Sequence, residues 1–251
     1  MKAQHSSIAP ELSRLLAALF PRGHQIQQAG LCLVGTAETA AGKVSVLGST
    51  EAAAIDHALA LQLAEGVLAT IAEHPQRPIV FLVDTSGQVL SRHAELLCLN
   101  ASFAHLACCV DLARRQGHPT LALVLANAVS GGFLSFGLMA DNAFALAGTE
   151  VRVMDLKAMA RVTKIAFERL QSLATSSPIF APGPENFLRM GALTAIWDGP
   201  QPECLDAALL ALQAHYKNNA DAPHPDQRQQ QGCDRGGRLL AAQISADVLK
   251  A

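Results

Sequence analysis

Two short turns built from small residues carry the backbone groups that point most directly to chemistry. They are Ser86-Gly87, in "VDTSGQ", and Ser130-Gly131-Gly132, in "NAVSGGFLSFGLMAD". Glycine has no Cβ, so a ligand can approach its backbone closely. The N–H groups at the start of a helix have no partner within that helix and carry partial positive charge. If a helix begins at the second turn, the pattern favours a site for an oxyanion, a carboxylate or a phosphate.

Other interpretations of the same turns remain open. Gly131 and Gly132 would also suit a helix that packs tightly against a sheet, with no ligand at all. Ser86 and Ser130 are conceivable nucleophiles, but "VSGGF" lacks the G-x-S-x-G order of a nucleophile elbow. Capping is the favoured role for both serines, and Ser130 is predicted to be the N-cap of the helix.

The elements around the turns follow from apolar runs and their periodicity. Strands are predicted at 31–37, 42–49, 77–87, 120–127, 143–148 and 150–155. Helices are predicted at 52–73, 92–116, 158–174, 187–194, 203–217 and 238–250, with a Pro-rich connection at 176–187. In the second helix the inner side is predicted to be Leu96, Leu99, Phe103, Leu106 and Val110. The repeated order of buried strand, turn and helix implies right-handed crossovers and a parallel sheet, hence an α/β fold.

The stretch from Pro119 to Ala140 has no charged residue and is long enough to suggest a membrane span. Its first half is aliphatic, however, its second half has helical spacing, and neighbouring apolar runs are too short to span. A buried strand followed by a buried helix is therefore the favoured interpretation.

Composition excludes several classes of function. The net charge is −2, half of the residues are hydrophobic and 16% are charged, which indicates a folded protein without the basic surface of a nucleic-acid-binding protein. The six Cys have no CxxC spacing, so no metal site is expected, and they are interpreted as small buried hydrophobes in a reducing compartment. The N-terminus is interpreted as an amphipathic helix and not a signal peptide, and a cytoplasmic protein is expected.

A single domain is expected over residues 1–251, because no clear boundary precedes residue 218. It is predicted to begin with a helical arm at 1–29. Residues 218–237 are polar and rich in Gly and Pro, which predicts an exposed loop before the last helix.

The order of the motifs resembles the crotonase (ClpP/crotonase) fold of acyl-CoA carboxyltransferase subunits, and within it the gamma subunits of biotin-independent malonate decarboxylases. The stretches that carry the resemblance are "PIVFLVDTSGQ", "SGGFLSFGLMADNAFAL", "KAMARVTK", "SPIFAPGPENFLRMGALTAIWDG" and "RGGR". It covers the chain from about residue 30 to the end. The fold that it implies is a superhelix of repeated ββα units with a parallel sheet and peripheral helices.

The resemblance implies an activity shared among subunits. A beta–gamma pair would decarboxylate malonyl-S-carrier to acetyl-S-carrier and CO2, and an alpha transferase would exchange the acetyl group for a new malonate. The thioester would be carried on the phosphoribosyl-dephospho-CoA arm of the acyl carrier (delta) protein. No cofactor would bind the gamma chain directly, and no nucleic acid or membrane would be a partner. The alternatives are a non-catalytic scaffold that completes the beta subunit's site, or the alpha-like half of a biotin-dependent acyl-CoA carboxyltransferase.

In crotonase-type sites two backbone N–H groups from separate turns stabilise the developing anion, which here implies Ser86-Gly87 and Gly131-Gly132. Hydratases of this fold carry a Glu two residues after the helix-start glycines, where this chain has Leu134. The alpha-like half of carboxyltransferases faces the carboxyl group rather than the thioester. Whether the turns hold the enolate, the carboxylate or no ligand therefore stays open.

Four basic residues are secondary candidates for contacts with a carrier arm or a partner subunit. Arg235 and Arg238 suit the phosphates of a carrier arm, although a helix start or a subunit contact would also explain them. Arg161 and Lys164 form a charged helix edge that would suit a partner subunit.

The remaining candidates have structural explanations. His93 and His105 could reach a site at the start of their helix, but a partly buried or surface histidine is favoured. Asp84 and Asp141 are interpreted as turn-stabilising carboxylates, and Cys108-Cys109 as part of the core.

Overall fold

The computed structural model describes residues 5–6, 8–176, 181–219 and 224–250. Ten strands of this described part form one sheet. They are β1 (His5–Ser6), β2 (His24–Ala29), β3 (Cys32–Thr39), β4 (Gly42–Ser49), β5 (Ala53–Ile55), β6 (Ile79–Gln88), β7 (Thr120–Val129), β8 (Asn142–Leu146), β9 (Glu150–Arg152) and β10 (Ala195–Trp197). The order is β1-β2-β3-β4-β6-β7-β8-β10, with β5 beside β6 and β9 beside β7. Strands β1 to β4 pair antiparallel, and all pairings from β4 onward are parallel.

Helices connect the parallel strands and cover both faces of the sheet. They are α1 (Pro10–Leu19), α2 (His57–Glu73), α3 (Arg92–Leu96), α4 (Leu99–Arg115), α5 (Ser130–Phe136), α6 (Leu156–Thr163), α7 (Phe167–Ser176), α8 (Pro184–Arg189), α9 (Pro202–Asn218), α10 (Arg228–Asp234) and α11 (Leu239–Lys250). The predicted order of buried strand, turn and crossover helix is confirmed for β6, β7 and β8.

Strand β6 lies in the middle of the sheet and shows why its sequence is an unbroken apolar run. Successive residues of a strand point to opposite faces. Phe81 and Val83 belong to the core beneath α2, α4 and α5, whereas Val80 and Leu82 belong to the core beneath α1 and α9. Because both faces are covered, a polar residue at any of these positions would be buried without a partner.

The uncharged stretch is β7 followed directly by α5, so the buried strand–helix interpretation is confirmed. Phe136 of α5 packs edge-on against Phe81 of β6, with ring centroids 5.8 Å apart, and both side chains are buried. None of the described helices combines the length and hydropathy needed to cross a membrane.

The helix predicted at 52–73 is wrong in its first turn. Residues Ala53–Ile55 form β5, which pairs with the end of β6. The helix begins at His57, because Asp56 accepts a hydrogen bond from the Leu59 N–H through Oδ1 at 2.9 Å and so caps it.

The helix predicted at 92–116 is two helices. Cys98 has a left-handed backbone, with φ of +58°, and this ends the continuous helical path between α3 and α4. Leu96, predicted on the inner side, therefore lies before the break and is 71% exposed. Leu99, Leu106 and Val110 are buried as predicted.

Several other boundaries differ from the predictions. The arm predicted at 1–29 contains strands β1 and β2 as well as helix α1, since β1 pairs with β2 and β2 with β3. The segment predicted as a polar loop at 218–237 contains α10. Lys164 has φ of +61° and separates α6 from α7 within the helix predicted at 158–174. The helix predicted at 187–194 is shifted to α8, and residues 177–180 of the Pro-rich connection lie outside the described residues.

The expectation of buried cysteines holds for only part of the set. Cys32 and Cys109 are buried, Cys233 is intermediate, and the exposed residues are Cys98, Cys108 and Cys204. Cys108 and Cys109 point to different sides of α4, so the prediction that both belong to the core is wrong for Cys108.

Candidate functional site

The two small-residue turns touch each other at the carboxyl end of β6 and β7. A Cβ built on Gly87 would lie 3.3 Å from the Ser130 Cβ and 3.3 Å from the Val129 carbonyl oxygen. Gly87 also has φ of +105°, which side-chain-bearing residues rarely adopt. The parallel pairing of β6 with β7 brings the turns together, as the sequence predicted.

Gly131 directs its N–H toward a side-chain oxygen at the end of the neighbouring strand. It donates to Gln88 Oε1 at 3.2 Å. A Cβ at Gly131 would lie 3.2 Å from the same oxygen and 3.2 Å from Phe103 Cε2. Gln88 thus supplies an acceptor to a backbone N–H in the first turn of α5. The sequence did not predict this role for Gln88. The one indication was its position as the last residue of the strand motif "VDTSGQ".

Gly132 has a packing role. A Cβ there would lie 2.6 Å from Thr85 Oγ1 and 3.1 Å from the Gly87 Cα. The first turn of α5 therefore rests directly on the backbone that leads out of β6. The packing interpretation explains Gly132, while the backbone of Gly131 is the part of the turn that faces a polar acceptor.

The Ser86-Gly87 turn uses its donors within the chain. The Ser86 N–H donates to the Ala52 carbonyl oxygen at 3.3 Å. The Gly87 N–H donates to Thr85 Oγ1 at 3.0 Å. Thr85 is fully buried and its hydroxyl donates to the Ala53 carbonyl at 2.7 Å, which fixes the turn. The turn therefore shapes the site and supports Ser130, and its role as a second donor to a ligand stays a prediction.

Ser130 does not cap the helix, contrary to the prediction. It is the first helical residue, the N-cap is Val129, and no side chain caps this end from that position. Ser130 has φ of +50°, an uncommon backbone for a residue with a Cβ. Because Val129 has no polar side chain, the Gln88 oxygen supplies the acceptor that a capping residue would otherwise give to Gly131.

Asp84 has the predicted turn-stabilising role. Its Oδ2 accepts from the Ala52 N–H at 2.8 Å. Its Oδ1 accepts from the backbone and side-chain N–H groups of Asn127 at 3.1 and 2.9 Å. One carboxylate therefore fixes the ends of β6 and β7 next to the two turns.

His57 anchors α3 beside the site, a role that the sequence did not predict. Its Nε2 lies 3.2 Å from the Ala94 carbonyl oxygen, which can only accept. In the neutral ring Nε2 therefore carries the proton, and Nδ1 accepts from the Ser102 hydroxyl at 3.0 Å. This arrangement joins α2, α3 and α4.

Comparison with known proteins shows the family. A sequence profile of MdcE, the malonate decarboxylase gamma subunit, matches residues 49–251. The chain belongs to the malonate decarboxylase gamma subunit family.

One curated relative of this gamma-family chain is the malonyl-S-ACP:biotin-protein carboxyltransferase MADD of Malonomonas rubra. The two are 31% identical over 179 residues, which are 68% of this chain and 61% of MADD. The chain thus spans less than two thirds of that relative's length.

Solved structures show the same fold. A chain of the Pseudomonas malonate decarboxylase hetero-tetramer in complex with coenzyme A matches with a TM-score of 0.75 and 22% identity, over 92% of this chain and 97% of that chain. A chain of the Pseudomonas MdcD-MdcE hetero-dimer gives 0.70 and 23%, over 89% and 91%. A transcarboxylase 12S chain gives 0.66 and 18%, over 81% of this chain and 40% of its own. The crotonase-type carboxyltransferase fold implied by the sequence is confirmed.

Two arginines that were predicted to meet a carrier arm have other partners in this gamma-family chain. Arg235 donates from Nη1 to the carbonyl oxygens of Leu188 and Leu193 at 3.0 and 2.8 Å. Arg238 donates from Nε to the Met190 carbonyl at 2.7 Å. Both guanidinium groups therefore hold the end of α8 in place, and their contact with the phosphates of a carrier arm stays a prediction.

Asp141 is the centre of a buried polar network at the amino ends of β7 and β8, the opposite end of these strands from the two turns. Its side chain is fully buried and accepts from Arg114 Nε at 2.7 Å. It also accepts from the Thr120 N–H at 2.9 Å and the Tyr216 hydroxyl at 3.0 Å. Burial raises the pKa of the Tyr216 phenol, and the Asp141 carboxylate raises it further. Sequence reasoning predicted only a local turn role, because these partners are distant in sequence.

The remaining candidate side chains are exposed on the protein surface. His93 is exposed on α3 and His105 is exposed on α4, where its Nε2 lies 3.7 Å from Cys109 Sγ. Leu134, at the hydratase glutamate position, is 42% exposed. Over the described ranges, His, Cys, Asp and Glu side chains form no group of three or more that could hold a metal ion.

Proposed function

We propose that the chain is the gamma half of a malonyl-S-carrier decarboxylase that acts with a beta subunit. Malonyl-S-carrier and a proton give acetyl-S-carrier and CO2. The observation that carries the proposal, beside the family membership, is the contact between the turns of β6 and β7, where the Gly131 N–H meets an oxygen acceptor.

The chemistry requires stabilisation of negative charge and no strong base. The bond between the α-carbon and the carboxylate breaks, and its electron pair moves toward the thioester carbonyl to give an enolate. A preorganised N–H donor lowers the energy of charge on oxygen in a site that excludes water. Leu134, where hydratases carry a base, agrees with a reaction in which departure of CO2 generates the carbanion.

Gly131 would hold one oxygen of the substrate in place of Gln88 Oε1. Because the donors of Ser86 and Gly87 are engaged within the chain, the arrangement supplies one hydrogen bond from these turns rather than a two-donor hole. A single bond would serve to position one oxygen of the departing carboxylate, so the donors that stabilise charge on the enolate oxygen would come from the beta subunit. The thioester end and its phosphoribosyl-dephospho-CoA arm would then lie mainly with the beta subunit, and an alpha transferase would recharge the carrier protein.

A substitution at Gly131 tests the proposal. In the co-purified beta–gamma complex, Gly131→Val should abolish CO2 release from malonyl-S-carrier, because the side chain would displace Gln88 and Phe103 and block the donor. Gly199→Val is the matched control, since a Cβ at Gly199 meets nothing within 4 Å. Size-exclusion chromatography should show both complexes assembled. Full activity of an assembled Gly131→Val complex would overturn the role of this turn, and loss of activity only with loss of assembly would indicate a scaffold.

One observation favours a second candidate, carboxyl transfer to biotin. The curated relative MADD is named as a carboxyltransferase from malonyl-S-ACP to a biotin protein. In that case malonyl-S-carrier would give acetyl-S-carrier and carboxybiotin protein. CO2 release without a biotin protein supports the decarboxylase, whereas turnover that depends on one supports the transferase.

A further inference from the structure

Helix α6 begins shortly after β9, the strand that pairs with the end of β7 next to the candidate site. Strand β9 pairs in parallel with β7, and Arg152 lies in register with Val129, the residue before Ser130. The chain then reaches α6 after three residues, with Asp155 as the N-cap; its Oδ1 accepts from the Ala158 N–H at 2.8 Å. The N-terminal end of α6 therefore follows, after three residues, a strand end that pairs beside Val129 and the Ser130 turn.

Three cations lie along this helix. Lys157 and Arg161 are four residues apart on α6, which brings their side chains to the same face, and Lys164 follows directly as the C-cap of the helix. All three are exposed. In the described part of the chain, none has a carboxylate at ion-pair distance. We call these three residues the basic face.

The basic face stands out against the charge of the whole chain. From residue 152 to 164 there are four cations and one carboxylate, Asp155, in a chain whose net charge is −2. Asp155 is engaged as a helix cap, and Arg152 pairs with Glu150. The basic face is therefore left with positive charge that its own chain does not neutralise.

Apolar side chains are also exposed on α6 and just before it, next to the basic face, as they are at protein interfaces. Helix α6 contains no buried residue. Val162 is 67% exposed on α6, and Val153, just before the helix, is 51% exposed. An eight-residue helix with no buried side chain gains little from its own chain. Apolar contacts surrounded by charges suit a partner that binds and leaves.

We propose that the basic face docks the acidic surface of the carrier protein that brings the malonyl thioester to the site. The inference rests on the proposed function. Complementary charge steers an acidic partner to this surface and sets its orientation. Because α6 begins three residues after the β9 end that pairs with Val129, a carrier docked at its N-terminal end would leave the thioester arm a short path to the turns. The arm's phosphate groups belong to the same negatively charged partner.

Charge reversal of the basic face tests the docking directly. The double variant Lys157→Glu with Arg161→Glu is prepared in the beta–gamma complex. Binding of the fluorescently labelled carrier protein is measured by anisotropy, with and without added salt. The Kd should rise about tenfold or more at low ionic strength, and the difference should shrink at high salt as the charges are screened.

Arg14→Glu with Lys217→Glu is the matched control. It changes the same residue types and the same charge at two exposed positions on α1 and α9, and should leave the Kd within about twofold of wild type. An equal loss of affinity in both double variants would overturn the proposal, since the effect would then come from overall charge. The neutral pair Lys157→Gln with Arg161→Gln should give a smaller rise and guards against misfolding by the introduced acids.

Kinetics separates this inference from the proposed function. The ratio of kcat/KM for malonyl-S-carrier to kcat/KM for malonyl-CoA should fall about tenfold in the Lys157→Glu, Arg161→Glu complex. If wild type decarboxylates neither substrate, the proposed function fails while the anisotropy measurement still decides the docking. An unchanged Kd, or dissociation of the beta subunit in size-exclusion chromatography, would overturn the assignment of this surface to the carrier.

Discussion

The Gly131 N–H donates to Gln88 Oε1 across 3.2 Å, so the side chain at the end of β6 meets the backbone at the start of α5. Two parallel strands position the pair, because β6 and β7 are hydrogen-bonded along most of their length. If substrate oxygen takes the place of the Gln88 oxygen, the two compete for one donor. The chemical nature of residue 88 should then control substrate affinity.

Gln88→Glu should raise the KM for malonyl-S-carrier. A carboxylate accepts more strongly than an amide, by roughly a factor of two in hydrogen-bond energy, and it repels an anionic substrate. Steady-state kinetics of the beta–gamma complex measures the change. Gln116→Glu, the same substitution at an exposed position after α4, is the control. A KM that rises equally in both variants, or in neither, would contradict competition at Gly131.

Gly132→Ala should destabilise the fold. The new Cβ would lie 2.6 Å from Thr85 Oγ1 and 3.1 Å from the Gly87 backbone, and overpacking of this kind costs about 1–3 kcal/mol. Urea denaturation measures the free energy of unfolding. Gly199→Ala, where a Cβ meets nothing within 4 Å, should match or exceed wild-type stability. Equal stability of the two variants would show that α5 can move away from β6.

Asp141→Ala should be the more damaging of two aspartate substitutions. It leaves Arg114 buried without its closest carboxylate, and breaking a buried pair costs about 3–5 kcal/mol. Asp111→Ala removes a partner of the exposed Arg115 and only the longer, 3.9 Å ion pair of Arg114, and should cost at most about 1 kcal/mol. Both free energies of unfolding come from the same urea titrations. A similar loss in the two variants would mean that water replaces Asp141 around Arg114.

The fold should lose stability in mild acid through His224. Burial lowers the pKa of its imidazole below the ordinary 6.5; Arg114 and His215 add to this, and Asp141 opposes it. The unfolded chain therefore binds a proton more readily than the folded one below pH 6.5. The contribution of His224 to the free energy of unfolding should be constant above pH 6.5, and it should fall as the pH drops below 6.5 and through the folded-state pKa.

The matching experiment compares urea unfolding at about pH 7.5 and about pH 5.5. His224→Asn should lose less stability on acidification than wild type. The exposed His93 provides the control His93→Asn, which should keep the wild-type loss. An identical pH dependence in all three proteins would exclude His224 as a contributor.

Local patterns in the sequence predicted the framework of the site but not its hydrogen bonds. The apolar runs predicted β6 and β7, and the resemblance to crotonase-type sites implied that the small-residue turns after these strands belong to one site. The partner of Gly131 depends on the register between two strands, which no local pattern encodes. The role of Thr85 was equally hidden, because its hydroxyl donates to the Ala53 carbonyl only once β5 lies beside β6.

Short elements were lost for a related reason. β5 has three residues, too few for a periodic signal to separate it from the apolar helix that follows. α10 was hidden by a composition typical of loops, and tertiary contacts of Arg228 and Arg235 override that composition.

These arginine contacts bear on how the polar segment after residue 223 moves. Arg228 donates to the Ala140 carbonyl, and Arg114 reaches the His224 carbonyl from the buried Asp141 pair. The segment is therefore fastened to the base of the sheet at several points. Its amide hydrogens should exchange with solvent more slowly than its glutamine-rich composition alone would suggest. In a hydrogen-exchange experiment, this stretch would behave as part of the folded protein rather than as a loop.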